Sequence, residues 1–111
     1  MSKKEYNLEI LTPAQRELEE IALVYLELSG AQSARNIINR IYDALDQLRF
    51  HFNIGVNCAD KPLKLQGYRM LICGNYICVY RLIEDTVVMY HIADGRADYP
   101  KLINDLQSTD D

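Results

Sequence analysis

Apolar and polar residues alternate at the start of the chain. Tyr6, Leu8 and Ile10 are separated by Asn7 and Glu9, the period of a strand with one buried side. The spacing then changes to three and four. Leu18, Ile21, Ala22, Tyr25 and Leu28 form one helical stripe. Thr12, Pro13 and Gln15 predict its start, with Thr12 as cap, Pro13 at the first helical position and Gln15 closing the capping box. Ser29-Gly30 predicts its end, because glycine accepts the left-handed cap conformation. A second helix follows, with Ser33 as its cap and Ile37, Ile38, Ile41, Ala44, Leu45 and Leu48 as its apolar side. So short a connection predicts an antiparallel helical hairpin, with Ile41 and Leu45 buried against the strands.

Residues 53–66 lose all periodicity, and Gly55 and Pro62 predict a surface loop. Three strands are expected next, over 68–73, 76–83 and 86–93, joined by tight turns at Gly74-Asn75 and Glu84-Asp85. Asp94-Gly95 breaks the last strand, and 99–106 reads as a short closing helix. The order β-α-α-β-β-β predicts an α+β domain: an antiparallel-rich sheet with the helical hairpin on one face. Residues 1–107 make a single domain and 108–111 an acidic tail.

Two-residue turns set a register. Arg69 faces Tyr80, Leu71 faces Cys78, and Cys73 faces Tyr76; in the next hairpin Tyr80 faces Met89 and Cys78 faces His91. Arg69, Tyr76, Tyr80 and His91 then share one side of the sheet. Met70, Ile72, Ile77, Val79, Ile83, Val88, Tyr90 and Ile92 share the other. The aliphatic set is expected beneath the helices and the polar set outward. Arg81 falls on the aliphatic side near a strand end, where it can snorkel out. The polar set also has a bland reading: tyrosines suit strands, Arg69 can pair with a carboxylate, and His91 can be a satisfied sheet histidine.

Composition narrows the chemistry. At 111 residues with 49% apolar and 25% charged, the chain is long enough for one core and too apolar for disorder. No apolar run reaches membrane length and no signal-peptide core follows Met1, so a cytoplasmic protein is expected. Cys58, Cys73 and Cys78 are odd in number and lack CxxC spacing, and only His51 and His91 stand beside them. Reduced, partly buried thiols are expected, and no metal or cofactor. The net charge is −4, and residues 61–99 hold five Lys and Arg against four Asp and Glu. With no basic stripe, affinity for free nucleic acid is expected to be weak or absent.

Gly67-Tyr68-Arg69-Met70-Leu71, then Asn75-Tyr76-Ile77-Cys78-Val79-Tyr80-Arg81, Thr86-Val87-Val88 and Asp94-Gly95-Arg96-Ala97-Asp98-Tyr99 together resemble the RelE/ParE toxin superfamily. Leu11-Thr12-Pro13-Ala14 and Glu19-Glu20-Ile21 fit the same pattern near the start. The resemblance implies the toxin of a toxin–antitoxin (plasmid stabilisation) pair, a growth inhibitor neutralised by a cognate antitoxin. It also implies one of two targets, messenger RNA on the ribosome or DNA gyrase. For a nuclease, the resemblance matches Arg69 and Arg96 to basic catalytic positions, and His91 and Tyr99 would serve as acid or base; under either target Tyr76, Tyr80, Arg81 and Asp98 are the candidate binding residues. Asp98 equally suits a helix cap paired with Arg96.

RelE-like enzymes carry further basic residues on the central strands. Here Ile77 stands directly after the strand tyrosine, the position two before the first hairpin turn is apolar, and Ala97 follows Arg96. A phosphate site so depleted loses several kcal/mol of transition-state stabilisation, at about 3–4 per donor. The departures point to a ParE-like toxin acting through protein contact, with gyrase as leading candidate. The alternatives are a ribosome-dependent endoribonuclease and a relative that keeps the fold as a non-toxic binding module.

Overall fold

A computed structural model of the chain describes residues 4–95 together with 100, 101 and 103. β1 (Asn7–Ile10) leads into α1 (Thr12–Ser29) and α2 (Ala31–Leu48). β2 (Val56–Asn57), α3 (Lys61–Leu65), β3 (Arg69–Cys73), β4 (Tyr76–Ile83) and β5 (Thr86–Asp94) follow. The five strands form one sheet in the order β1-β5-β4-β3-β2. β1 runs parallel to β5, and the remaining pairs are antiparallel.

The helix ends differ in detail from those expected. Leu11 is the N-cap of α1 and makes no side-chain cap bond. Gln15 reaches back to the Ile10 carbonyl at 2.7 Å, not to a capping box on Thr12. Pro13 lies in the first turn, where its missing N–H leaves no bond unmade. Gly30, at φ +90°, is the single residue between the helices. Ser33 therefore lies inside α2 and caps nothing. Residues 53–66 are not a plain loop but contain β2 and α3. Asp60 starts α3 by accepting from the Leu63 N–H at 3.2 Å.

The first hairpin has the expected register, from Arg69↔Tyr80 to Cys73↔Tyr76. The second begins as expected at Tyr80↔Met89 and then shifts. Val79 faces His91 and Cys78 faces Ile92, so Tyr90 is an extra residue on β5.

The two sheet faces are exchanged relative to expectation. Beneath α1 and α2 lie Cys73, Cys78, Tyr80, Val87, Met89 and Ile92, packed on Ala14, Leu18, Ile21, Ile37, Ile41, Leu45 and Leu48. The opposite face holds Val79, Val88 and Tyr90 with Tyr68, Cys58, Leu63 and Ile103. Only Ile92 of the expected aliphatic set reaches the helical side, carried there by the extra residue. Ile72 and Ile83 are 66% and 41% exposed, and Leu28, expected in the α1 stripe, is 80% exposed.

The cause is that both faces are covered. The segment after β2 supplies Cys58 and Leu63 as a second lid, so apolar content does not mark the helical side. Of the expected closing helix, Pro100, Lys101 and Ile103 have helical backbone, and Ile103 is buried in this second core. No helix among the described residues is long and apolar enough to cross a membrane.

Ile41 and Leu45 are fully buried, as the sequence pattern predicts. Leu45→Ala should lower stability by about 2–5 kcal/mol in urea titration. Leu45→Asp should give no cooperative transition, because it buries an unpaired charge.

Candidate functional site

Tyr80 places the first group of polar side chains. It projects from β4 into the helical core and is fully buried. Its hydroxyl donates to the Phe52 carbonyl at 2.6 Å and accepts from the Gly55 N–H at 3.1 Å. A Cβ at Gly55 would lie 2.4 Å from the Met70 carbonyl oxygen and 2.5 Å from the Tyr80 hydroxyl, so only glycine fits.

Arg69 holds the same loop from the next strand. Its Nη2 donates to the carbonyls of Asn53 and Gly55, at 3.0 and 2.5 Å. Its Nη1 donates to Asn57 Oδ1 at 2.8 Å. The Nε is buried without a hydrogen-bond partner. This guanidinium is a staple across 53–57.

His91 lies in another place. It is 7% exposed, and its Nδ1 is 3.0 Å from Glu17 Oε1 on α1. The same carboxylate oxygen accepts from the Ile92 N–H at 2.9 Å. β1 pairs with β5 only as far as Met89. Beyond that point Glu17 takes over the hydrogen bonding that a strand would otherwise provide. His91 Nε2 is buried with no hydrogen-bond partner. Arg69 and His91 lie two strands apart, a spacing of roughly 10 Å.

Arg81 is on the opposite face. Its Nε and Nη2 donate to the Tyr90 hydroxyl at 3.3 and 2.8 Å, and its guanidinium lies 4.7 Å from the Tyr68 ring centroid. Tyr76 is at the far end of β4, its hydroxyl pushed up to about 12, first by burial and then by its hydrogen bond with Tyr25. Burial also pushes Cys58 to about 11 and Cys78 to about 12, so neither is a thiolate nucleophile at neutral pH. All three cysteines are free and buried. No cluster of metal ligands occurs among the described residues. Arg96, Asp98 and Tyr99 lie outside the described residues.

The structure therefore brings Arg69 and Tyr80 together and separates them from His91, Arg81 and Tyr76. Sequence reasoning missed Glu17, Gly55 and Asn57. Glu17 has no local signal, because its partners are 74 and 75 residues away in the chain.

The family model described as the ParE toxin of the type II toxin-antitoxin system, parDE, matches residues 8–99. The chain belongs to the ParE toxin family. Solved structures agree on the fold. A chain of the chromosomal ParDE system from P. aeruginosa superposes with a TM-score of 0.69 at 18% identity, covering 82% of this chain and 97% of that one. A chain of the RelBE2 toxin-antitoxin complex from Mycobacterium tuberculosis gives 0.58 at 21% identity, covering 87% and 100%. A mutant of the E. coli toxin RelE in the free state gives 0.52 at 15% identity, covering 90% and 96%. No curated protein gives a significant match to the sequence.

Two outcomes are expected of this ParE-family chain. Glu17→Ala should cost about 1–3 kcal/mol in urea titration and speed hydrogen exchange at the Ile92 amide, since two buried groups lose their acceptor. Stability should also fall as pH rises from about 9 towards 11. In that window the unfolded chain releases thiol protons that folded Cys58 and Cys78 retain, which favours the unfolded state; urea midpoints across the range measure it.

Proposed function

We propose that this chain is the toxin of a type II pair, silenced in the cytoplasm by a cognate antitoxin, and that it inhibits growth through protein contact with DNA gyrase as the candidate target. The observation that carries this reading is the state of Arg69 and His91. A nuclease needs a base, an acid and a cation converging on one phosphate. Here the Arg69 guanidinium is committed to backbone carbonyls and an asparagine, and His91 is turned onto Glu17 under cover. Two groups tied into separate structural roles support contact over phosphodiester cleavage. The acidic net charge of −4 supports it too, because a protein-directed toxin needs no phosphate-seeking surface.

Induced expression without the antitoxin tests the reading. The expected result is a DNA-damage response and slowed growth, with purified gyrase converting supercoiled plasmid to cleaved forms in the protein's presence. Rapid fragmentation of messages on ribosomes, with gyrase unaffected, would replace this reading by the nuclease one. Normal growth at high expression would leave a binding module with no toxicity.

A further inference from the structure

The outward side of the helical hairpin carries both apolar side chains and an order of charge. α1 meets the sheet through Ala14, Leu18 and Ile21, and α2 meets it through Ile37, Ile41 and Leu45. Leu23, Leu26 and Tyr42 lie away from that core and are 57%, 47% and 47% exposed. Tyr42 lines a groove of about 320 Å³ between the helices, together with Ala22 and Ile38. Leu26 continues the Ala22 row one turn further along α1.

Charged residues follow the same strip. On α1, Arg16, Glu20, Leu23 and Glu27 succeed one another at spacings of three and four. On α2, Arg35, Asn39 and Asp43 do so at spacings of four. All of them are exposed. The helices run antiparallel about Gly30, so distance from that residue sets the level of each side chain along the hairpin. Glu27 stands three residues before Gly30 and Arg35 five after it. Arg16 stands fourteen before and Asp43 thirteen after. At about 1.5 Å per residue, each of these opposite-charge pairs is level to within about 3 Å. The sign of charge along α1 is therefore the mirror of its sign along α2. Arg35 donates to Gln32 of its own helix at 3.2 Å, an exposed bond that costs little to exchange.

We propose that two copies of this chain pair through the outer faces of their helical hairpins, about a two-fold axis parallel to the helices. Glu27 of each copy then meets Arg35 of the other, and Arg16 meets Asp43. The charges select that axis. A two-fold along the helices keeps every level and lays α1 on α2 of the other copy, so opposite signs meet at both ends. A two-fold across the helices lays α1 on its own counterpart and sets Glu19, Glu20 and Glu27 against one another. In the first arrangement Glu19 and Glu20 come level with Tyr42 and Asn39 of the other copy, whose hydroxyl and amide can donate to them. Leu26 and Tyr42 border the groove and meet their own counterparts across the axis, which removes apolar surface from water. Two helices of 18 residues make a face about 27 Å by 20 Å, roughly 500 Å² a side. The total of about 1,000 Å² is what a specific interface has to clear. This inference stands apart from the toxin reading and fails independently of it.

Sedimentation equilibrium of the purified full chain, from low to high micromolar concentration, is the test. The expected result is a reversible monomer–dimer equilibrium. Leu26→Glu, an exposed change, should shift it to monomer while the urea midpoint stays in place. Arg35→Glu and Glu27→Arg should each weaken pairing on the order of tenfold, because two-fold symmetry puts every change at two contacts. The chain carrying both changes should regain the original affinity, since the exchanged charges meet again. A protein that is monomeric at every concentration overturns the proposal. A dimer indifferent to Leu26→Glu overturns the face, and a double variant no tighter than the single ones overturns the axis.

Discussion

The architecture turns on one buried phenol. A tyrosine hydroxyl sealed between a sheet and two helices must find partners, because leaving such a group unsatisfied costs about 1–3 kcal/mol. Tyr80 finds them in Phe52 and Gly55, which belong to the stretch leaving α2. Meeting that need settles the path of the chain after the hairpin. It presses Gly55 against the Met70 carbonyl, where no side chain fits. It also turns the carbonyls of Asn53 and Gly55 toward Arg69. The side of the sheet that meets the helices, the course of 52–57 and the role of Arg69 follow from the same burial.

Much of the fold was legible because local periodicity carries it. The helical hairpin, the three C-terminal strands and the register of the first hairpin come from apolar spacing and turn residues alone. What periodicity cannot supply is which layer covers which face. It groups Tyr80 with Leu71 and Cys78, and it groups Val79 with Val88, but both sets turn out to be interior. The second lid was hidden in 53–66, where Asp60 and Pro62 begin a helix too short to show a period. The extra residue at Tyr90 was also invisible, because a bulge leaves no mark in a strand whose residues do not alternate between apolar and polar.

The candidate site was less legible than the fold, for a related reason. Motif positions name residue types and say little about their commitments. Arg69 and His91 were singled out as candidate functional side chains, yet each is held by groups from distant elements. Glu17 reaches His91 and Ile92 across 74 and 75 residues, and its carboxylate stands in for a missing length of strand. The interior polar groups bond to one another across the fold, whereas the flank of α1 keeps Val24 and Leu28 exposed.

The parallel pairing of β1 with β5 has a consequence for the birth of the molecule. Asn7 lies against Thr86 and Ile10 against Met89, so among the described residues the earliest strand docks on the latest. A chain that closes so long a loop cannot complete its sheet until β5 has cleared the ribosome. At about 5–20 residues per second, β1 is in existence for several seconds before its neighbour arrives. Throughout that interval the nascent polypeptide lacks its finished surface. A sheet closed in this way is complete only once β5 has emerged to meet β1.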